Sequence, residues 1–302
     1  GRWSSLEVGK LEEMKVILAE ELEREPRFPE VVGERRLLRF LRGHQHDVAG
    51  ACQKWLKMRA WRRENGVDQI REDIVANGLY HPSQFPLGPD ILAQYPLLVV
   101  NPSCFDYEGS LLAYECYDFS PREVIEVLGD LNLFIRFHIY CLELRELALE
   151  ALSDEKEQRN LARRAERAAE RAKRPIAAQA EEVDEGDEGV DRPWGEMERC
   201  CVIRDLQGFG LEHAGPAARS LLGKVMATSQ ANYPEQMKTC LLVNTPWVFS
   251  ALFAAIQGMI SPKTAAKIKV LDTVGLLGLV PLEHLPKALG GLCDPDQVQS
   301  EE

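Results

Sequence analysis

An α/β fold, with a helical bundle leading into a mostly parallel sheet, is what this sequence predicts. Two observations carry the fold class: helical apolar spacing over residues 4–77, and strand–helix–strand twice in succession between residues 199 and 272. A third bears on function. The helix expected from Trp247 to Ile260 is apolar almost all round, where a surface helix shows one apolar stripe and one polar face. Val248, Leu252 and Met259 fall on one stripe, Phe249, Phe253, Ile256 and Ile260 on the next, and Gln257 is its only strongly polar interior side chain. Crossing a bilayer takes ~20 apolar residues, so this segment is too short to span one. It reads as a lid over something apolar.

The elements follow in order. Behind Ser5, a suitable N-cap, Leu6, Leu11, Met14, Leu18 and Leu22 recur at helical spacing until Pro26 and Pro29 stop the pattern. GERRLLRFLRGH gives a short helix with Leu37, Leu38, Phe40 and Leu41 inward and Arg35, Arg36, Arg39 and Arg42 mostly outward, a solvated face or one that touches anionic membrane. Asp47 caps the next helix, which carries Val48, Cys52, Trp55, Leu56 and Trp61 and ends at Asn65-Gly66. Tyr80–Pro96 is rich in Pro and Gly and reads as a loop. Strands are expected at Pro96–Asn101 and Leu111–Tyr117, with a turn around Asp106–Gly109. Ser120-Pro121, with Glu123 three positions on, opens a long helix whose face carries Val124, Leu128, Leu131, Phe134, Ile135, Phe137 and Leu142.

Residues 153–198 change character. DEKEQRNLARRAERAAERAKR is charged and Ala-rich, and EEVDEGDEGVD is acidic and broken by glycine. The first half can extend the preceding helix into solvent, and the second lacks the apolar surface to order itself. The segment reads as an insertion, either a solvated spacer or a docking element. After it come strand 199–206, helix 215–231, strand 238–244, the apolar helix and strand 268–272. That order implies right-handed crossovers and adjacent parallel strands. VGLLGLVPLEHLPKALGG closes the chain with short helical turns.

Composition narrows the function. A chain of 302 residues is long enough for one large or two modest domains. Its net charge of −12 argues against nucleic-acid binding, which needs a basic footprint. Eight cysteines without a C-x-x-C pair or zinc spacing fit reduced core residues in a cytosolic or nuclear compartment. No signal peptide or membrane span is visible, and Gly1 in place of a start methionine is consistent with a fragment.

Candidate chemistry gathers at one sheet edge. Glu235 precedes strand 238–244 and Lys267 precedes strand 268–272, so parallel strands in register bring both to the same edge. Thr264 lies three residues before Lys267 on a short turn opened by Ser261-Pro262. An acid, a hydroxyl and an ammonium suit a polyol or phosphate head group; a plain structural ion pair explains them equally well. Gly208-x-Gly210 follows a strand, but His213 stands where a dinucleotide loop needs its third glycine, and a tight turn accounts for both glycines. No nucleophile–base pair, nucleophile elbow or metal cluster stands out, and no enzyme is expected.

These segments resemble the CRAL-TRIO lipid-binding family, which includes retinaldehyde-binding, tocopherol-transfer and phosphatidylinositol-transfer proteins. The matching pieces are RRLLRFLRGHQHDV and KWLKMRAWRRENGVD within Arg35–Asp68, CVIRDLQGFG at Cys201–Gly210, the stretch Asn232–Leu271, and LEHLPKALGG at Leu282–Gly291. The resemblance implies a helical N-terminal region over 4–77 and a lipid-binding domain over 80–293, interrupted by a disordered insertion at 153–198. It also implies a sheet of about five strands beneath an apolar cavity closed by a gate helix. The head-group residues of phosphatidylinositol-binding members fall on Glu235, Thr264 and Lys267. Two basic positions are replaced, by His44 and Gln236, and Cys200 and Val202 stand where phosphatidylcholine binders carry polar cavity groups.

The expected pocket and gate comprise Phe134, Phe137, Leu241, Val243, Trp247, Phe249, Leu252, Phe253, Ile256 and Met259, with His44 beside the head group. The expected function is to hold one hydrophobic or amphiphilic lipid and exchange it between membranes, with no cofactor beyond that lipid. The alternative is a module that recruits a larger protein to membranes, docking a partner through 153–198. A monomer is expected, cytoplasmic and peripherally membrane-associated. Extracting a sixteen-carbon chain from a bilayer costs about 0.8 kcal/mol per methylene, ~12 kcal/mol in all. A charged hydrogen bond to a head group returns about 1.5–3 kcal/mol. The apolar wall must therefore supply affinity, and the polar residues select.

Overall fold

The computed structural model describes residues 3–95, 97–98, 103–118, 120, 129–172, 197–247, 249, 253 and 262–293. Helices α1 (Ser5–Ile17), α2 (Ala19–Leu22), α3 (Pro29–Val32), α4 (Glu34–Gly43), α5 (Val48–Glu64) and α6 (Val67–Asn77) form the expected N-terminal bundle. The N-cap of α1 is Ser4 rather than Ser5. Its hydroxyl accepts from the Glu7 amide while Glu7 accepts from the Ser4 amide, a reciprocal capping box. Leu11, Met14, Leu37, Leu38, Phe40 and Trp55 make the bundle core. The stretch read as a loop holds a helix of its own, α7 (Gly88–Gln94), with Pro89 in its first turn.

The α4 arginines are not a solvated face. Arg35, Arg36 and Arg39 are buried, and they meet α8 (Leu131–Ala172), a single helix of 42 residues. Glu143, Glu146, Glu150, Asp154 and Glu157 recur on α8 at intervals of three and four, so they share one stripe. Arg35 reaches Glu150 and Asp154, each at 2.6 Å, and also Glu157. Arg36 lies 2.7 Å and Arg39 3.7 Å from Glu146. From α5, Arg62 forks onto both oxygens of Glu143 at 2.7 and 2.9 Å, and the Tyr233 hydroxyl donates to the same carboxylate at 2.5 Å. Basic side chains read from their own helix look solvated; their acidic partners stand a hundred residues later.

The sheet has five strands in sequential order: β1 (Leu97–Leu98), β2 (Leu112–Cys116), β3 (Cys200–Asp205), β4 (Met237–Val243) and β5 (Ile268–Val270). β1 pairs antiparallel with β2, and the other four run parallel. Parallel neighbours joined in sequence by crossovers of one hand place their connecting segments on one face. That face carries Leu111, Ala113, Cys200 and Val202 against Leu149 and Leu152 of α8. Helix α9 (Pro216–Asn232) provides the β3–β4 crossover. The opposite face packs Leu112, Tyr114, Cys201, Ile203, Leu241 and Val243 against the closing segment, with Leu276, Val280 and Leu285. Two short helices, α10 (Pro262–Ala265) and α11 (Thr273–Leu277), flank β5.

The segment read as a disordered insertion begins as ordered helix. Residues 153–172 continue α8, and its first turns are anchored. Buried Ser153 donates to the Leu149 carbonyl at 2.6 Å and accepts from the Glu198 amide at 3.0 Å. Lys156 donates to the Gly109 carbonyl at 2.8 Å and pairs with Glu198 at 2.9 Å. Both ends of the segment are thus tied beside the same stretch of α8. Residues 173–196 lie outside the described residues.

Candidate functional site

Glu235 and Lys267 of the predicted trio meet at the sheet edge. Lys267 Nζ lies 3.3 Å from Glu235 Oε2 and donates to the Met237 carbonyl at 2.8 Å. Lys263, which the sequence reading missed, reaches Glu235 Oε1 at 2.6 Å. It stands four residues before Lys267, the spacing that puts two side chains on one side of a helical turn. Arg199 adds a third cation, 3.9 Å from Glu235. Thr264 is half-buried in the same turn, and its carbonyl accepts from the Lys267 amide at 3.1 Å. Glu235 adopts a left-handed backbone conformation, φ 59°. Its carbonyl is held by Arg39 Nη1 at 2.8 Å, while Arg39 Nη2 donates to the Glu198 carbonyl at 2.7 Å. The buried arginine of α4 therefore fixes the loop that presents Glu235.

Electrostatics divide the two partners. Burial alone would raise Glu235, but the Lys263 hydrogen bond and the Lys267 charge outweigh it and hold the carboxyl below its ordinary range. Burial also lowers the Lys267 ammonium, more than Glu235 restores it. The acid, shared by several cations, is the better compensated group.

Neither replaced basic position reaches this cluster. His44 Nδ1 lies 2.8 Å from the Phe40 carbonyl of its own helix, with its ring stacked on Phe40. Gln236 is buried and donates to Glu146, so its side chain serves the arginine–carboxylate seam.

The expected apolar wall divides between the two sheet faces. Phe134 and Phe137 are buried on α8, in contact with each other and with Phe85 or Tyr95. Leu241 and Val243 lie on the far face, with Leu276 and Val280. Cys240 and Leu242 face the α8 side, with Tyr117, Phe209 and Phe249 packed around them. From Cys240 to Val243 β4 is apolar on both faces, so its sequence gives no phase there. Of the gate, Phe249 joins this cluster and packs at a tilt against Phe253 with ring centroids 5.3 Å apart, and Trp247 is 93% exposed. Leu252, Ile256 and Met259 lie outside the described residues.

Residues 95–291 match the CRAL/TRIO domain family. The chain belongs to it. The CRAL/TRIO chain is 28% identical to the SEC14 cytosolic factor of Eremothecium gossypii over 306 residues, covering 99% of this chain and 80% of that protein. It is 26% identical to the Sec14 cytosolic factor of Schizosaccharomyces pombe over 270 residues, 88% of this chain and 77% of the relative. An Arabidopsis thaliana phosphatidylinositol/phosphatidylcholine transfer protein, SFH12, is 24% identical over 261 residues, 85% of this chain but 39% of the plant protein. The crystal structure of Sfh5 superposes with a TM-score of 0.58 at 14% identity, covering 92% and 85% of the two chains, which supports the fold.

This CRAL/TRIO domain also carries a polar group within its apolar face. Glu115 on β2 and Arg204 on β3 are register partners, with Arg204 Nε donating to Glu115 Oε2 at 2.9 Å. Arg145 of α8 lies 3.8 Å from the other carboxylate oxygen. Arg204 and Arg145 outweigh burial and hold the Glu115 carboxyl below its ordinary range. The signal was available: LLAYECY places Glu115 and RCCVIRDL places Arg204 among apolar strand residues, and parallel register pairs them. Among the described residues no metal-binding group occurs, and no helix is long and apolar enough to cross a membrane.

Proposed function

We propose that this protein is a lipid carrier. It holds one lipid between α8 and the Cys240/Leu242 face of the sheet, and exchanges it at membrane surfaces with the 247–260 segment as gate. It works as a monomer that meets membranes transiently from the aqueous side. The reading is supported by the family, by relatives named as phosphatidylinositol/phosphatidylcholine transfer proteins, and by the aromatic wall that begins at Phe134 and Tyr95. The single observation that carries the head-group assignment is the meeting of Lys267 and Lys263 on the buried carboxylate of Glu235. Two ammonium groups over one acid leave positive charge for a phosphate and an acceptor for a polyol hydroxyl. Glu235, Thr264, Lys263 and Lys267 thus read an inositol-type phosphate head group, and His44 stands at the margin.

Lys267→Ala tests this. Glu235 keeps Lys263 and Arg199, so the fold survives, while the head group loses a charged partner worth about 1.5–3 kcal/mol. Transfer of phosphatidylinositol between vesicles should fall on the order of tenfold, with a neutral lipophile such as tocopherol unaffected. Equal loss for both would make the cluster a structural ion pair.

A further inference from the structure

The middle strand of the sheet carries a guanidinium with room above it. Arg204 is flanked by parallel strands on both sides, yet 37% of its side-chain surface is open. A residue in that position keeps such exposure only where a space opens over the sheet. Around it stand Tyr117, Phe209 and Leu242 from the sheet side and Tyr95 and Phe134 from the helical side, linked ring to ring. The Nε of Arg204 is engaged by Glu115, and its two terminal nitrogens donate to no described residue.

The charge count at this point is uneven. Among the described residues Arg204 and Arg145 share one carboxylate, Glu115, leaving one positive charge in excess. Asp205 does not balance it, because it turns to the opposite face, where it accepts from Tyr114 and Asn244. His138 of α8 adds no charge: burial pushes its imidazole down to about 4, and it is tied to Ser229 Oγ at 2.9 Å. A cation against an apolar wall is costly unless an anion meets it.

The geometry points to an anionic amphiphile as ligand of this space, its carboxylate or phosphate oxygens forked on the open edge of Arg204 and its chain lying along the aromatic wall. The inference rests on the carrier reading above and adds a second, deeper selection step, away from the Glu235 cluster. Arg suits it because its planar fork offers two parallel N–H groups to one pair of oxygens. One charge-assisted pair in an apolar setting is worth a discrimination on the order of tenfold or more.

The test uses the full chain incubated with phosphatidylcholine vesicles doped with hexadecanoic acid, hexadecyl phosphate or hexadecanol. Native mass spectrometry of the recovered protein reads which is bound. The acid or the phosphate should exceed the alcohol at least tenfold, and which of the two leads identifies the head group. Arg204→Met should erase that preference, and Arg204→Lys should restore part of it. Because Arg204→Met leaves Glu115 with one partner fewer, Glu115→Gln/Arg204→Met is measured beside it, with circular dichroism confirming the fold of each. Alcohol bound as well as acid and phosphate, or a preference that survives both Met variants, overturns the proposal. Uptake of phosphatidylinositol at the Glu235 cluster would then still stand, so the two readings fail separately.

Discussion

His138 makes stability depend on pH in a window of its own. The imidazole is half-buried between α8 and α9. The Ser229 hydroxyl donates to the Val225 carbonyl at 3.0 Å, so its oxygen must accept from His138 Nε2–H. Burial lowers the folded imidazole from 6.5 to about 4, with Arg145 and Arg204 adding to the effect and Glu115 opposing it. The unfolded chain therefore takes up a proton between these values that the fold refuses. Stability is complete above pH 6.5 and is lost as pH falls toward 4. At pH 5 the loss from this residue is about 2 kcal/mol, or roughly 3–6 °C in melting temperature for a chain of this size.

His138→Gln keeps a donor to Ser229 and cannot titrate. Thermal unfolding at pH 7, 6 and 5, followed by circular dichroism, should show the drop in the parent and a drop smaller by that amount in the variant. Glu7 supplies an internal reference. Burial works against its ionisation, but the Arg42 hydrogen bond and the Ser4 amide prevail and hold its carboxyl at about 2. Its contribution is lost only below pH 4.5, equally in both proteins. Parallel melting curves from pH 7 to 5 would refute the assignment of that loss to His138.

Two further outcomes follow from the packing. Glu143→Leu alone should cost about 3 kcal/mol, because the terminal nitrogens of Arg62 and the Tyr233 hydroxyl lose their carboxylate while Asp68 holds only Arg62 Nε, and Arg62→Leu/Glu143→Leu should cost less than the sum of the single changes in urea unfolding; strict additivity would show that the pair is not coupled. Gly208→Ala should destabilise by about 2 kcal/mol or more, since its φ is +77° and a Cβ would lie 2.8 Å from the Asp118 Cα. Gly210→Ala meets only the Gly208 carbonyl, at 3.8 Å, and should fall within about 1 kcal/mol of the parent; comparable losses at both sites would contradict the turn geometry.

Periodicity was enough for the order of elements, because an amphipathic helix and a short apolar strand announce themselves locally. The Glu235–Lys267 meeting was legible for a related reason: parallel strands bring the residues before them to one edge. What stayed hidden depended on partners remote in sequence. Arg36 and Arg39 looked like surface groups until Glu146 met them. The face of Leu241 and Val243 was undetermined because every neighbour on β4 from Cys240 to Val243 is apolar. Lys263 had no place in the sequence reading, although its spacing to Lys267 marked it.

The acidic stripe of α8 sets how that long helix can move. An oily contact between two helices tolerates a slip, since one leucine replaces another. A turn of slip here is about 5.4 Å, enough to carry Glu143 and Glu146 away from arginines sealed from water, and a stranded buried charge costs about 3–5 kcal/mol. The seam therefore has one register. α8 carries Phe134 and Phe137 near one end, and the same arginines hold the Glu235 loop through Arg39. A lipid entering or leaving meets a wall and a head-group loop kept at a fixed spacing. Opening is then left to parts of the chain that this seam does not clasp.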